Sequence, residues 1–307
     1  MLEALAHAQQ SLFELQVLES FIARRENDGQ TPDDTEVVRA VADELLAHQS
    51  ADGSWGGKLQ LTAEALLLLA ELRIPSGFLP AVARAEQFLR GCRNQPGRWT
   101  DGCTPRFHEL GICQHFGGGF FSPAPPARDL SDTRLANGLV FRNNADARLG
   151  LSCLALHAVR WWSRSSVDDL VHLDTLRRVA DVAFRPGSIE LSMSSAVLML
   201  SALTSAPRTP QFISVLHGAL TRLAGLQRAD GSWPDAEAFH VADLYLLAGQ
   251  RGYGSPVFDA AILRVANLLV LTQNAEGGWG NSDATGTYRL LSGWRTLRYA
   301  TKLVGAG

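Results

Sequence analysis

The stretch Leu223-Ala224-Gly225-Leu226-Gln227-Arg228-Ala229-Asp230-Gly231-Ser232-Trp233 decides how this chain is read. An apolar helical period runs into a glutamine, a glycine opens a polar turn four residues later, and a tryptophan closes it. The same Gln-x-x-x-Gly-x-Trp pattern runs from Gln49 through Gly53 to Trp55 and from Gln273 through Gly277 to Trp279. A partial copy, Arg93-Asn94-Gln95-Pro96-Gly97-Arg98-Trp99, ends at Trp99. Trp55 and Trp99 are 44 residues apart, Trp233 and Trp279 are 46 apart, and 134 residues separate the two pairs. Six slots of about 45 residues therefore fit the chain. A fixed period of this size marks one supersecondary unit stacked on copies of itself.

Each well-formed unit carries an amphipathic helix before the motif and a more uniformly apolar helix after it. The first kind is expected over 34–48, 79–93, 167–183, 210–226 and 257–272, with 1–27 supplying a further member. The second kind is expected over 62–72, 106–116, 146–161, 190–203, 240–249 and 285–299. Helices apolar nearly all round belong inside and striped ones outside. The simplest closure is all-α: a single (α/α)6 toroid of about six helical hairpins joined by the Gln-x-x-x-Gly-x-Trp turns, one domain over 1–307. In each turn glycine supplies backbone freedom, the glutamine amide satisfies open groups at a helix end, and tryptophan packs over it.

Composition narrows the class. A chain of 307 residues that is 46% hydrophobic can bury a large core. A net charge of −3 and a pI near 6.2 give no electrostatic footprint for nucleic acid. The longest unbroken apolar run, 65–70, is too short to span a bilayer, and the first residues lack a basic, apolar leader, although peripheral membrane contact stays compatible with this pattern. Cys92, Cys103, Cys113 and Cys153 have no framework spacing and read as reduced thiols of a cytoplasmic protein. The segment 117–144, rich in glycine and proline, interrupts the helical rhythm and is a candidate lid.

In the forms Leu45 to Gly57 and Leu223 to Asp235, the motif resembles the QW repeat of the terpene cyclase and prenyltransferase toroids. These comprise squalene-hopene cyclases, class II diterpene cyclases and, more distantly, the β-subunits of protein prenyltransferases. The likeness covers essentially the whole chain. It implies a central cavity for a prenyl-bearing or other hydrophobic substrate and, in the cyclases, an Asp-x-Asp-Asp acid that protonates an alkene. No intact copy of that acid motif is present. Asn144-Ala145-Asp146-Ala147 keeps the middle aspartate at the expected position, opening an inner helix, and makes Asp146 the candidate proton donor. Its alternative role is to cap that helix. Ser166-Val167-Asp168-Asp169 is closer by letter but precedes an outer helix and reads as a surface cap.

The prenyltransferase likeness implies a metal-dependent alternative, with zinc at Asp101, Cys103 and His108; His240, its other candidate histidine, lies on an inner helix across the ring. Without that metal the cyclisation reading needs no cofactor, and the absence of an aspartate-rich DDxxD string disfavours magnesium-assisted ionisation. The inner-helix starts bring a set of polar side chains to one rim. His108, His240 and Asp243 are candidates to tune or replace the acid, and Arg106, Arg148 and Arg289 to hold a diphosphate. Glu109, Asn144, Tyr245 and Tyr288 add polar contacts, while Phe107 and Phe239 offer apolar and cation-stabilising faces. A third reading is a non-catalytic binding or scaffold protein that has lost the acid motif. Cyclases of this kind use two toroids where this chain supplies one, which leaves room for a homodimer or a partner chain.

Overall fold

Glutamine and tryptophan do the same work in all three complete motifs. In a computed structural model of the chain, Gln49 Nε2 donates to Gly53 O and to Ala81 O, at 3.0 and 2.9 Å. Gln227 Nε2 donates to Gly231 O and Ala261 O at 3.0 and 3.1 Å, and Gln273 Nε2 to Gly277 O and Ala4 O at 2.8 and 3.0 Å. The indole N–H groups of Trp55, Trp233 and Trp279 reach back to Leu45 O, Leu223 O and Leu269 O at 2.7 to 2.9 Å. One amide thus closes its own turn and pins a helix other than the one that follows it, while the indole satisfies a carbonyl at the end of the preceding one. The glycine is dictated by geometry: Gly231 has φ +92°, and a Cβ there would overlap the Arg264 carbonyl, as one at Gly53 would overlap that of Arg84.

The structure describes residues 1–15, 17–29, 31–74, 76–92, 130, 132–163, 167–185, 191–235, 237–280 and 284–305. Among these there are twelve α-helices and no strand, as the all-α reading expects. They run α1 Leu2–Glu14, α2 Leu18–Glu26, α3 Pro32–Ala47, α4 Leu59–Leu72, α5 Leu79–Gly91 and α6 Asn144–Trp162. There follow α7 Val167–Val182, α8 Met193–Leu203, α9 Pro210–Gly225, α10 Ala238–Gln250, α11 Pro256–Thr272 and α12 Ala284–Gly305. The helix expected over 106–116, the Trp99 motif and most of the 117–144 segment lie outside the described residues. No helix among the described residues is long and apolar enough to cross a membrane.

The chain is organised as two compact units. One comprises Met1–Val38, Ala136–Gly138 and Leu220–Gly307; the other comprises Arg39–Leu135 and Leu139–Ala219. In the second unit α6 packs against α4, α5 and α8. Every residue of α6 from Ala147 to Arg160 is buried, and so are ten of the eleven residues of α8, as expected of helices apolar nearly all round.

In the first unit α12 packs on α1, α2, α10 and α11. The segment 1–27 is not one helix, contrary to the sequence reading. Leu15 and Val17 are extended, and the buried Ser20 hydroxyl takes up the carbonyls of both, at 2.7 and 2.6 Å. It is α1 that meets the last motif. Gln273 pins Ala4 in α1 just as Gln227 pins Ala261 in α11, and His7 faces Gly277 where Arg264 faces Gly231. The first helix of the chain is therefore the helix onto which the last motif docks.

Candidate functional site

Two helices, α6 and α10, carry acids singled out by sequence, and each acid is held differently. At the start of α6, Asn143 is the N-cap and its Oδ1 accepts from Asp146 N–H at 3.0 Å. Asp146 Oδ2 in turn accepts from Arg142 N–H at 3.0 Å. These reciprocal bonds, each satisfying an open backbone donor, make a capping arrangement of the kind that fixes a helix start. The Asp146 carbonyl receives Ser195 Oγ–H at 2.9 Å, tying α6 to α8. The Asn144 side chain, expected to bond Asp146, lies outside what is described; Asn143 accepts the Asp146 backbone N–H.

In α10 the environment is different. Tyr288 Oη–H donates to Asp243 Oδ2 at 2.7 Å and Ser292 Oγ–H to Oδ1 at 2.8 Å. Tyr288 and Ser292 are one turn apart on α12, so a single face of that helix grips both carboxylate oxygens. Burial raises the Asp243 carboxyl above the ordinary carboxylate range, against the opposing pull of the Arg295 charge, the two hydroxyl donors and His240. Tyr288 is pushed well above the usual phenol range by burial and by the adjacent carboxylate, so it stays a neutral donor. His240, one turn before Asp243, is buried and stacks on the Tyr288 ring with centroids 5.3 Å apart and planes at 18°. Burial lowers the pKa of the imidazole, which keeps it neutral at pH 7, and its Nε2 sits 2.9 Å from Asn137 O. A carbonyl only accepts, so the proton lies on Nε2.

The remaining rim candidates separate into those near Asp243 and those that are not. Arg289 forks onto Glu237 just before α10, Nε to Oε2 at 2.9 Å and a terminal nitrogen to Oε1 at 2.6 Å, so its guanidinium already holds a carboxylate. Phe239 packs edge-on against Trp279 at 5.9 Å, beneath the last motif. Tyr245 does not join the cluster: it is 1% exposed, lies between Trp233 and Phe258, and donates to Leu220 O at 2.9 Å, so it belongs to the packing of α10 against its neighbours. Arg148 is buried in α6. The described part of Asn144 is its backbone in α6. Arg106, Phe107, His108, Glu109 and the metal candidates Asp101 and Cys103 lie outside the described residues. Among the described residues no group of three or more His, Cys, Asp or Glu is arranged to hold a metal ion.

Sequence reasoning missed Ser292, Asn137 and Glu237. Ser292 had a signal, because Tyr288 and a residue four later share a face of a helix. Asn137 acts through its carbonyl, which carries no sequence signature. A second raised acid, Glu86 in α5, owes its shift to burial, opposed by Arg90 and reinforced by Asp169; Arg90 is forked onto the fully buried Asp169 at 2.8 and 3.2 Å. That cluster has the form of a structural ion pair with a second carboxyl beside it.

No protein-family model matches the chain, and no curated protein matches it. A solved structure described as the crystal structure of a protein from Actinoplanes is similar over 96% of this chain and 89% of that one, with 17% identity and a TM-score of 0.51. Likeness at that identity concerns the fold alone.

Proposed function

We propose that this chain is a terpene cyclase-like enzyme built as an (α/α)6 ring, and that it isomerises a hydrophobic, prenyl-bearing substrate by acid-initiated cyclisation with Asp243 as proton donor. The single observation that carries this reading is the Asp243 carboxyl of α10, gripped on both oxygens by Tyr288 and Ser292 of α12, with burial favouring its neutral form. The docking of the last motif onto α1 supports the ring. Asp146 is the weaker candidate, because its carboxylate is engaged in capping α6.

The chemistry is an isomerisation. The Asp243 O–H proton adds to a terminal alkene carbon, forming a C–H bond and leaving a tertiary cation. A neighbouring alkene closes the ring through a C–C bond, and loss of a proton from the final cation to solvent or to the carboxylate restores the balance. Desolvation favours the proton-bearing form of the carboxyl, which suits the first step, and an aromatic face such as that of Tyr288 suits the second. A diphosphate head would have to displace Glu237 to use Arg289, which favours a substrate that retains or lacks that head over one ionised by losing it.

The test is incubation of the purified chain with linear prenyl substrates of increasing length, with and without a diphosphate. The expected products have the mass of the substrate and one or more new rings, and they disappear in Asp243→Asn. Release of inorganic diphosphate as the first event, or a requirement for zinc, would replace this reading with prenyl transfer. Tight binding with no conversion would favour a non-catalytic carrier.

A further inference from the structure

The stripe of α12 that grips Asp243 continues beyond it. Tyr288, Ser292, Arg295 and Tyr299 follow one another at intervals of four, three and four residues, so they share one face of the helix. Tyr288 and Ser292 bond the Asp243 carboxyl, and Tyr299 Oη–H donates to Asp259 Oδ1 of α11 at 2.9 Å. Arg295 stands between them and forks onto Glu26 at the end of α2, with Nε 3.1 and 3.2 Å from the two carboxylate oxygens and a terminal nitrogen on Oε1. Arg298 donates to Glu26 O at 2.6 Å, so two arginines of α12 fix the end of α2. The Arg295 and Glu26 side chains are only 22% and 23% exposed. A charge shielded from water in this way is felt farther than one at the open surface.

We propose that Arg295, clamped by Glu26 of α2, is the counter-charge of Asp243: a positioning residue that steadies the carboxylate left behind when the proton departs. This inference rests on the reading of Asp243 as the acid. Hydroxyl donors alone leave a desolvated carboxyl holding its proton firmly, whereas a guanidinium seated directly on it would strip the proton before any alkene arrived. Arg295 does neither, because its fork lies on Glu26 while its charge still reaches Asp243. Burial raises the Asp243 carboxyl, and of the influences that oppose burial the Arg295 charge is the largest, ahead of the Tyr288 and Ser292 hydroxyls and of His240. The other charged groups on α10 and the helices packed against it are engaged elsewhere: Arg289 on Glu237, Arg264 on Gln227, and Asp259 with Tyr299.

The experiment titrates the Asp243 carboxyl in the free, full chain by carbon NMR of protein carrying carboxyl-labelled aspartate, the signal being assigned by its loss in Asp243→Asn. Arg295→Gln removes the positive charge and should raise the titration midpoint by about one pH unit, the low end of what a nearby opposite charge supplies. Glu26→Gln removes a negative charge from beside Arg295 and should lower the midpoint. Opposite directions are the signature of charge, since a clamp with a merely structural role, loosened from either end, would move the midpoint the same way. Arg295→Lys keeps the charge and should bring the midpoint most of the way back to that of the wild type. Any other outcome, whether an unmoved midpoint in either variant or shifts of one sign in both, overturns the counter-charge. If Arg295→Gln does not fold, Glu26→Gln decides: a lowered midpoint upholds the proposal, and an unmoved or raised one overturns it. Where product is formed, the limb on which its formation falls with rising pH should move up in Arg295→Gln together with the midpoint. A wild-type chain that makes no cyclic product discards the cyclase reading and leaves the midpoints, which need no substrate, to decide the pairing of Arg295 with Asp243.

Discussion

Asp146 and Asp243 sit near the starts of two helices, α6 and α10, and their surroundings hold them differently. Asp146 is the third residue of its helix, and its carboxylate accepts the Arg142 backbone N–H and so helps to finish a helix end. Asp243 lies one turn deeper in α10, where side-chain hydroxyls bind it and burial, the dominant influence, favours the neutral form. Three residues along a helix separate a cap from a carboxyl held by side-chain hydroxyls. Position in the repeat is therefore a poor guide to role; depth below the first turn and the residues on the facing helix decide it.

The largest effect that could break this comparison is catalytic. With a cyclised product in hand, Asp243→Asn should reduce its formation by roughly 10²- to 10⁴-fold, the loss expected of a general acid. Asp146→Asn should reduce it by less than about three-fold. Product yield per folded protein measures both, and a reversed order would return the acid to α6.

A second variant separates scaffold from chemistry. Gln227 donates to two carbonyls and accepts from Arg264 Nε at 2.6 Å, so Gln227→Ala orphans three partners. A destabilisation of about 2–3 kcal/mol is expected from urea unfolding, with little change in turnover per folded molecule. A turnover defect larger than the stability defect would mean that the staple beneath α10 also aims Asp243.

Much of this was legible in the sequence because a motif of fixed spacing builds the same local object each time. Gln, Gly and Trp at four- and two-residue intervals are enough to specify the turn, and the helices before and after it follow from their apolar periods. The break at Leu15 was not legible, since Leu15 and Val17 are as apolar as the helices they separate. His240, Asp243 and Tyr288 were visible as polar residues on apolar helices. Their meeting was not, because Tyr288 is 45 residues from Asp243 and only the packing of α12 on α10 brings them together. Asp146 was favoured over Asp243 for the same reason: likeness to a motif marks a place in the repeat, whereas acidity comes from neighbours.

Stability against pH sharpens the contrast further. The folded-state pKa of Asp243 lies above its unfolded value, so its neutral form contributes stability that is fully present below the ordinary carboxylate value of 3.8. That contribution is lost as pH rises through the raised folded value. Asp243→Asn removes the titration, so the variant should be the more stable protein at neutral pH and the advantage should vanish toward pH 3. Melting temperatures of wild type and variant across pH 3–8 test this, and parallel curves would place the Asp243 carboxyl in an ordinary, solvated setting.

The smallest effect belongs to the cap, and it tests the other half of the comparison. Asn143→Ala removes the acceptor for Asp146 N–H, and Asp146→Ala removes the acceptor for Arg142 N–H. Each should lower stability by about 1 kcal/mol, the usual worth of a helix cap. Because each bond serves a different open donor, the double variant should come close to the sum, with any shortfall measuring how far one cap orders the other. Both losses should be insensitive to whether product is made. If Asp146→Ala instead leaves stability within about 0.3 kcal/mol of wild type and abolishes product, the cap is incidental, α6 carries the acid, and the hydroxyl grip on Asp243 is a feature of packing.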